Sequence, residues 1–342
     1  MEQKIKPEMP ESALCWHDAS TLTIEGKGWK DTASLYERLP AKARSIVNER
    51  HWKHAQCPAG VSVHFSTNSP SLFVKWDGLM EQPDISAGGM DLYVRHDGKW
   101  RWLGYTTGNK PLFAELPVQF RDYMLYLPLF YQVQRVELGI PEWFEVKPAQ
   151  PRTKKPIVFY GTSITQGSRA SRAGMSYGAI LGRWLDTPVL NVGFSGNGDM
   201  APAFIDLLCE LNPAVYVLDC LPNMTAPLVE ERVEAAIRKL RTAHAATPIV
   251  LVEMFYCDAF LKTQRMERYV AANRAQLAVY EKLIRDGVAN LHYIRGEGLI
   301  GNDGEATIDG THYTDLGFMR FAEKMYPLLE PMISQSKNPE EI

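Results

Sequence analysis

Two short segments carry side chains that could perform acyl transfer together: Asp309-Gly310-Thr311-His312 and, about 150 positions upstream, Gly161-Thr162-Ser163-Ile164. A carboxylate three residues before a histidine on one short loop can accept a hydrogen bond from the imidazole Nδ1–H. That bond fixes the tautomer and leaves Nε2 free to take a proton. A serine in a Gly-rich turn, directly after an apolar run that reads as a strand, is the kind of hydroxyl such a base could deprotonate. In the chain order Ser…Asp…His, the two segments propose a serine nucleophile, Ser163, with His312 as base and Asp309 as its orienting carboxylate.

Two further turns could complete such a site. Gly193-Phe194-Ser195-Gly196-Asn197-Gly198 offers the backbone N–H of Gly196 to a developing oxyanion, with no Cβ to block substrate approach. Ser195 is a rival nucleophile, although Asn197 stands where a G-x-S-x-G elbow needs glycine. In Asp219-Cys220-Leu221-Pro222-Asn223 the Asn223 side chain is either a helix cap or a third oxyanion donor, and Asp219 is a rival partner for His312. Ser163 itself has a bland alternative as a helix N-cap. Arg172, Gly174 and Met175, downstream of the nucleophile turn, are candidates to line a cleft. His51 and His54, three apart with no accompanying ligand pattern, read as a loop or surface pair.

The elements that must position these residues fall into two halves. Up to about residue 146, short alternating runs such as Val61–Phe65, Ser71–Trp76, Asp91–Arg95, Trp100–Gly104, Tyr123–Leu127 and Val133–Leu138 are separated by turn residues. Such alternation is that of half-buried strands, and Asp97-Gly98 is a hairpin turn. The pattern predicts an antiparallel β-sandwich with one helical stretch near Ala33–Val47. Trp100 and Trp102 lie on one face of a strand, either packed between the sheets or forming a sugar-stacking platform. Residues 147–156, with three prolines and four cationic side chains, read as a linker.

From residue 157 apolar runs alternate with helical patterns. Ile157–Tyr160, Val189–Val192, Ala214–Asp219, Ile249–Glu253 and Asn290–Ile294 read as strands of a parallel sheet. Val229, Val233, Ala236, Ile237 and Leu240 recur at helical spacing, as do Leu277, Tyr280, Leu283 and Ile284. Ligands bind beyond the carboxyl ends of such strands, where Ser163, Gly196, Asp219 and Asn223 sit. The expected division is therefore 1–146, 147–156 and 157–342.

Composition narrows the function. The chain has 342 residues, 45% hydrophobic and 23% charged, with a net charge of −3, which gives no reason to expect nucleic acid or an anionic membrane as partner. Cys15, Cys57, Cys209, Cys220 and Cys257 are odd in number and widely spaced, which fits free thiols. The N-terminus has no apolar signal-peptide core and no run is long enough to span a bilayer. The expected location is the cytoplasm, or outside the cell for a form lacking its signal. Oligomeric state is not legible.

The catalytic half resembles the SGNH (GDSL-type) hydrolase family, whose ordered blocks fall here on Ser163, Gly196, Asn223, and Asp309 with His312, over roughly residues 156–334. The first block reads Gly-Thr-Ser instead of Gly-Asp-Ser, and the third Cys-Leu-Pro-Asn-Met instead of Gly-x-Asn-Asp. Gly89-Met90-Asp91-Leu92-Tyr93 is similar to the G-x-D-L-Y signature of the β-sandwich fused to one branch of that family. The resemblance implies a flavodoxin-like hydrolase domain after a β-sandwich. It also implies a triad of Ser163, Asp309 and His312, an oxyanion hole of Ser163, Gly196 and Asn223, and no metal or organic cofactor. The expected activity is hydrolysis of short acyl esters, acetyl above all, on carbohydrates. An acyltransferase acting on a small hydroxylated acceptor is the alternative, and a carbohydrate-binding protein with an inactive hydrolase fold the third reading.

Overall fold

A computed structural model describes residues 13–80, 89–106, 112–113, 115–255 and 263–335. Its N-terminal domain is a sandwich of two antiparallel sheets. One sheet places β8 (Tyr131–Pro141) between β1 (Leu14–Asp18) and β4 (Phe73–Met80). The other runs β2 (Thr23–Glu25), β3 (Ser62–Thr67), β7 (Arg121–Tyr126), β5 (Met90–His96), β6 (Lys99–Thr106), with β9 (Val146–Pro148) also paired to β3. Inward-facing residues of both sheets, among them Val63, Phe65, Tyr123 and Leu125 against Val74, Val136 and Leu138, close the sandwich core. The β5–β6 hairpin turns at Asp97 and Gly98, both at positive φ (49° and 71°), as its sequence predicted.

The second domain is a five-stranded parallel sheet in the order β11 (Val189–Gly193), β10 (Ile157–Gly161), β12 (Val215–Asp219), β13 (Ile249–Val252), β14 (Leu291–Ile294). Every residue of β10, β11 and β12 is buried, because helices cover both faces of the sheet. Those helices are α2 (Ser163–Gln166), α3 (Tyr177–Trp184), α4 (Pro202–Leu208), α5 (Ala226–Ala243), α6 (Thr263–Arg285) and α7 (Asp315–Gln335), following α1 (Glu49–Ala55) of the N-terminal domain. The chain leaves β10 to one side for β11 and returns to the other for β12. This creates a switch point at the carboxyl end of β10, where a crevice forms.

Several sequence expectations need correction. The helix expected near 33–47 is absent. Pro40 precedes only a 3-10 turn at Ala41–Ser45, and the α-helix starts after Asn48, whose side chain accepts the His51 N–H. Trp100 and Trp102 do not pack between the sheets. They sit on the face turned toward the second domain, where Trp100 Nε1 donates to Asp186 and Trp102, 52% exposed, donates Nε1–H to Asp91. The proline-rich segment is bound down: Val146–Pro148 adds a strand to β3, and Arg152 pairs with buried Glu25. Cys15, Cys57, Cys209 and Cys220 are free thiols; Cys257 lies outside the described residues. No helix among the described residues is long and apolar enough to cross a membrane.

The packing between domains is continuous. Trp29, Leu39, Trp52, Tyr93, Tyr126 and Phe130 of the N-terminal domain belong to the same apolar core as the parallel sheet. Asp91, from the Gly-x-Asp-Leu-Tyr segment, is fully buried and accepts hydrogen bonds from Arg172 Nη1 (2.7 Å) and Gly174 N–H (2.8 Å). Arg172 also approaches the Met175 sulfur and lies over the Trp102 and Tyr93 rings. The segment considered as a cleft lining is thus the anchor of one domain on the other.

Candidate active site

Ser163 opens α2 immediately beyond β10. The cap of that helix is Thr162, not Ser163: Thr162 Oγ1 accepts the Ile164 N–H, and the Thr162 N–H donates to Thr165 Oγ1. The Ser163 hydroxyl is therefore not used for capping, and its Oγ lies 2.9 Å from His312 Nε2.

The loop bearing His312 is organised by one carboxylate. Asp309 Oδ1 accepts the backbone N–H groups of Thr311 (2.9 Å) and His312 (2.8 Å), while Oδ2 lies 2.8 Å from His312 Nδ1. An ionised carboxylate can only accept, so Nδ1 carries the proton and neutral Nε2 is left to accept the Ser163 O–H. Burial opposes the charge on Asp309, but the His312 and Thr311 N–H groups and the imidazole together hold its pKa below the usual carboxylate range. Arg265 braces the loop from outside, donating to Asp309 O and Thr311 Oγ1.

The two remaining turns close on the same point. Gly198 packs against the nucleophile turn so tightly that an added Cβ would lie 2.3 Å from Gly161 O and 2.8 Å from Thr162 N. Its N–H donates to Asn223 Oδ1 at 3.1 Å. Thr225, and not Asn223, is the residue preceding α5, so the cap alternative for Asn223 falls away. Gly196 has φ +74°, a conformation that favours glycine. Among the described residues no acceptor takes the N–H of Ser163 or of Gly196.

The rivals are placed elsewhere. Asp219 is buried and takes the hydroxyls of Tyr177 (2.9 Å) and Thr165 (3.3 Å) in place of His312. Burial pushes its pKa up to about 6. Ser195 donates its N–H to Gln166 Oε1, and the imidazole of His312 is engaged by Ser163.

Sequence reasoning missed the contribution of the N-terminal domain. Arg38 is buried beneath the Gly196 turn. Its guanidinium donates to the carbonyls of Asn191 (2.9 Å), Gly193 (2.8 Å), Cys57 and His54 and stacks on Phe194. Its hydrogen bonds are to carbonyl oxygens, and burial lowers its pKa to about 10. His51 is buried too, contrary to the surface reading, and donates Nε2–H to Asn197 O at 2.8 Å. Next to it, Arg50 occupies the space above Gly196: an added Cβ there would lie 2.6 to 2.9 Å from the guanidinium. Glycine at 196 thus makes room for Arg50, where the sequence had suggested room for substrate.

Comparison with known proteins agrees with this arrangement. Residues 154–330 match the GDSL-like lipase/acylhydrolase family, and residues 14–146 match the domain described as the N-terminus of Esterase_SGNH_hydro-type. No curated protein matches the chain. Among solved structures, a GDSL-like lipase from Bacteroides ovatus is 29% identical with a TM-score of 0.89, covering 94% of this chain and 98% of that one. The salicylyl-acyltransferase SsfX3 of a tetracycline biosynthetic pathway is 19% identical (TM-score 0.75, 94% and 98% covered). A family two carbohydrate esterase from Cellvibrio japonicus is 13% identical (TM-score 0.60, 95% and 99% covered). The match over residues 154–330, more than half of the sequence, makes this chain a member of the GDSL-like lipase/acylhydrolase family, a carboxylic ester hydrolase of the SGNH type, with the SGNH-type N-terminal domain before it.

Proposed function

We propose that the protein is an acetylesterase acting on carbohydrate esters through an acyl-enzyme, with Ser163, His312 and Asp309 as its triad. The observation that carries the serine-esterase chemistry is the unbroken line from Ser163 Oγ through the imidazole to Asp309, at 2.9 and 2.8 Å; the acetyl and carbohydrate assignment is supported by fold-level likeness to a family two carbohydrate esterase. Ser163 Oγ attacks the ester carbonyl carbon as its proton passes to His312 Nε2, and Asp309 stabilises the imidazolium. The N–H groups of Ser163 and Gly196 and the Asn223 amide receive the oxyanion. His312 returns the proton to the leaving alcohol, and water repeats the sequence on the acyl-enzyme. The working division of the chain is 1–146, 147–156 and 157–342.

The His312 side chain is 26% exposed, which gives water the access to the base that hydrolysis requires. The acyltransferase reading is kept for its fold-level support in SsfX3. Acetate release from a panel of acetylated saccharides, compared with cleavage of nitrophenyl acetate and nitrophenyl octanoate, tests the proposal. Acetate release from the saccharides with rapid cleavage of the acetyl ester is expected. Preference for octanoate, or no release from any saccharide, rejects it. Acyl appearing on an added polyol faster than in water moves the assignment to transferase.

A further inference from the structure

Arg50 has no role in the reading above, yet it stands beside the turn that bears Gly196. Helix α1 brings it there and holds it. One residue on, His51 is bonded to Asn197 O and stacked on Phe204, so the helix cannot drift from the turn. Arg50 is an exposed residue, and its guanidinium fills the space that a Cβ on Gly196 would take. Gly196 is only two residues, roughly 7 Å of chain at most, from Gly198 and its contact with the nucleophile turn.

The charge around this turn is one-sided. Arg38 below it bonds to carbonyl oxygens, with no carboxylate partner among the described residues. Arg50 above it has neither an ion pair nor a hydrogen bond among them. Two cations therefore flank the Gly196 turn, and Asp199, the carboxylate whose charge reaches this helix, is already paired with Arg232 Nη1 at 2.8 Å. Arginine presents a planar fork suited to a two-oxygen anion.

We infer that Arg50 binds an oxyanionic group on the alcohol portion of the substrate, so that the preferred ester is an acetylated acidic saccharide carrying a carboxylate or a sulfate. The inference rests on the esterase reading above. The charge belongs to the alcohol portion because an acetyl group has no place to carry it.

The test compares matched substrates on the full chain: an acetylated methyl glucuronoside as free acid and as its neutral amide, and acetylated glucose 6-sulfate beside acetylated glucose. Wild type should prefer the charged member of at least one pair by about tenfold in kcat/KM, through KM, with the preference shrinking as ionic strength rises. In Arg50→Gln the charged-to-neutral ratio should fall to about one, and Arg50→Lys should keep part of it. Whichever pair shows the effect identifies carboxylate or sulfate. Equal rates within both pairs in wild type, or a ratio unchanged in Arg50→Gln, overturns the inference. So does a preference found only on the acyl side, for mono-4-nitrophenyl succinate over 4-nitrophenyl butyrate. A wild type that cleaves neutral acetates without charge preference defeats the Arg50 role alone. One that cleaves no ester defeats the esterase reading with it.

Discussion

Asn223 Oδ1 accepts the backbone N–H of Gly198 at 3.1 Å, and that single bond decides which end of the amide is available. A backbone N–H can only donate, so the accepting atom must be the oxygen. The NH2 group is then the end free to donate elsewhere. The bond also joins the turn after β11, which carries Gly196, to the turn after β12, which carries Asn223.

Asn223→Asp tests this division of labour. Aspartate keeps an oxygen for Gly198 but has no N–H to offer an oxyanion. Loss of one oxyanion donor lowers kcat by roughly 100- to 1,000-fold, about 3 to 4 kcal/mol. The effect should fall on kcat more than on KM, with thermal unfolding close to wild type. A kcat within a fewfold of wild type removes Asn223 from the oxyanion hole.

Ser163→Ala should lower turnover of nitrophenyl acetate by at least about 10,000-fold. Thr162 caps α2, so the substitution takes nothing from the helix, and the unfolding midpoint should stay near that of wild type. A fluorophosphonate should label Ser163 in the wild type. Labelling at Ser195, with Ser163→Ala still active, would reassign the nucleophile.

What was legible in the sequence was local. Asp309 and His312 are three residues apart on one loop, so spacing alone implied the contact later seen at 2.8 Å. Strand alternation and Asp97-Gly98 carried their own geometry. What was missed depends on contacts distant in sequence. Arg38 reaches Asn191 O and Gly193 O across more than 150 positions, and nothing in Arg-Leu-Pro announces a buried cation. Helix α1 has seven residues, too few to display a periodic face, and its buried His51 and His54 read as polar surface. Trp100 and Trp102 alternate correctly, but alternation cannot say that their face meets a second domain.

The Asp91–Arg172 pair predicts how the domains depend on each other. Asp91→Ala leaves the Arg172 guanidinium, Gly174 N–H and Trp102 Nε1–H without their acceptor. Removing one member of a buried pair costs roughly 3 to 5 kcal/mol, and the lower end applies because Arg172 keeps some contact with water. Urea unfolding should show a loss of about 3 kcal/mol. In the Asp91→Ala, Arg172→Met double variant part of that loss should return, since no charge is left stranded. A single variant as stable as wild type would show that Asp91 does not hold the domains.

Acid should destabilise the fold through a histidine outside the triad. His54 is buried on α1, its ring edge-on to Phe130, and its Nδ1 has no hydrogen-bond partner. Burial first, then the positive charges of Arg38 and Arg50, pull its pKa from 6.5 down to about 4. Between those values the unfolded chain binds a proton that the folded chain refuses, so stability rises with pH across this window. The stabilisation is fully present above about 6.5 and is lost as pH falls toward 4. Buried His64, also brought to about 4, acts in the same direction. Asp219 acts in the opposite one: its pKa, raised to about 6, makes ionisation unfavourable to the fold as pH rises from 3.8. His51 and His292, whose pKa values burial also lowers, act with the two histidines, and Asp91, raised by burial, acts with Asp219; four histidines against two carboxylates leave a net loss in acid. Urea unfolding of wild type should therefore weaken between pH 7 and pH 4.5, and His54→Gln should shrink that loss by about 2 kcal/mol. An identical pH slope in the variant would mean that His54 is protonated in the folded protein at the same pH as in the unfolded chain.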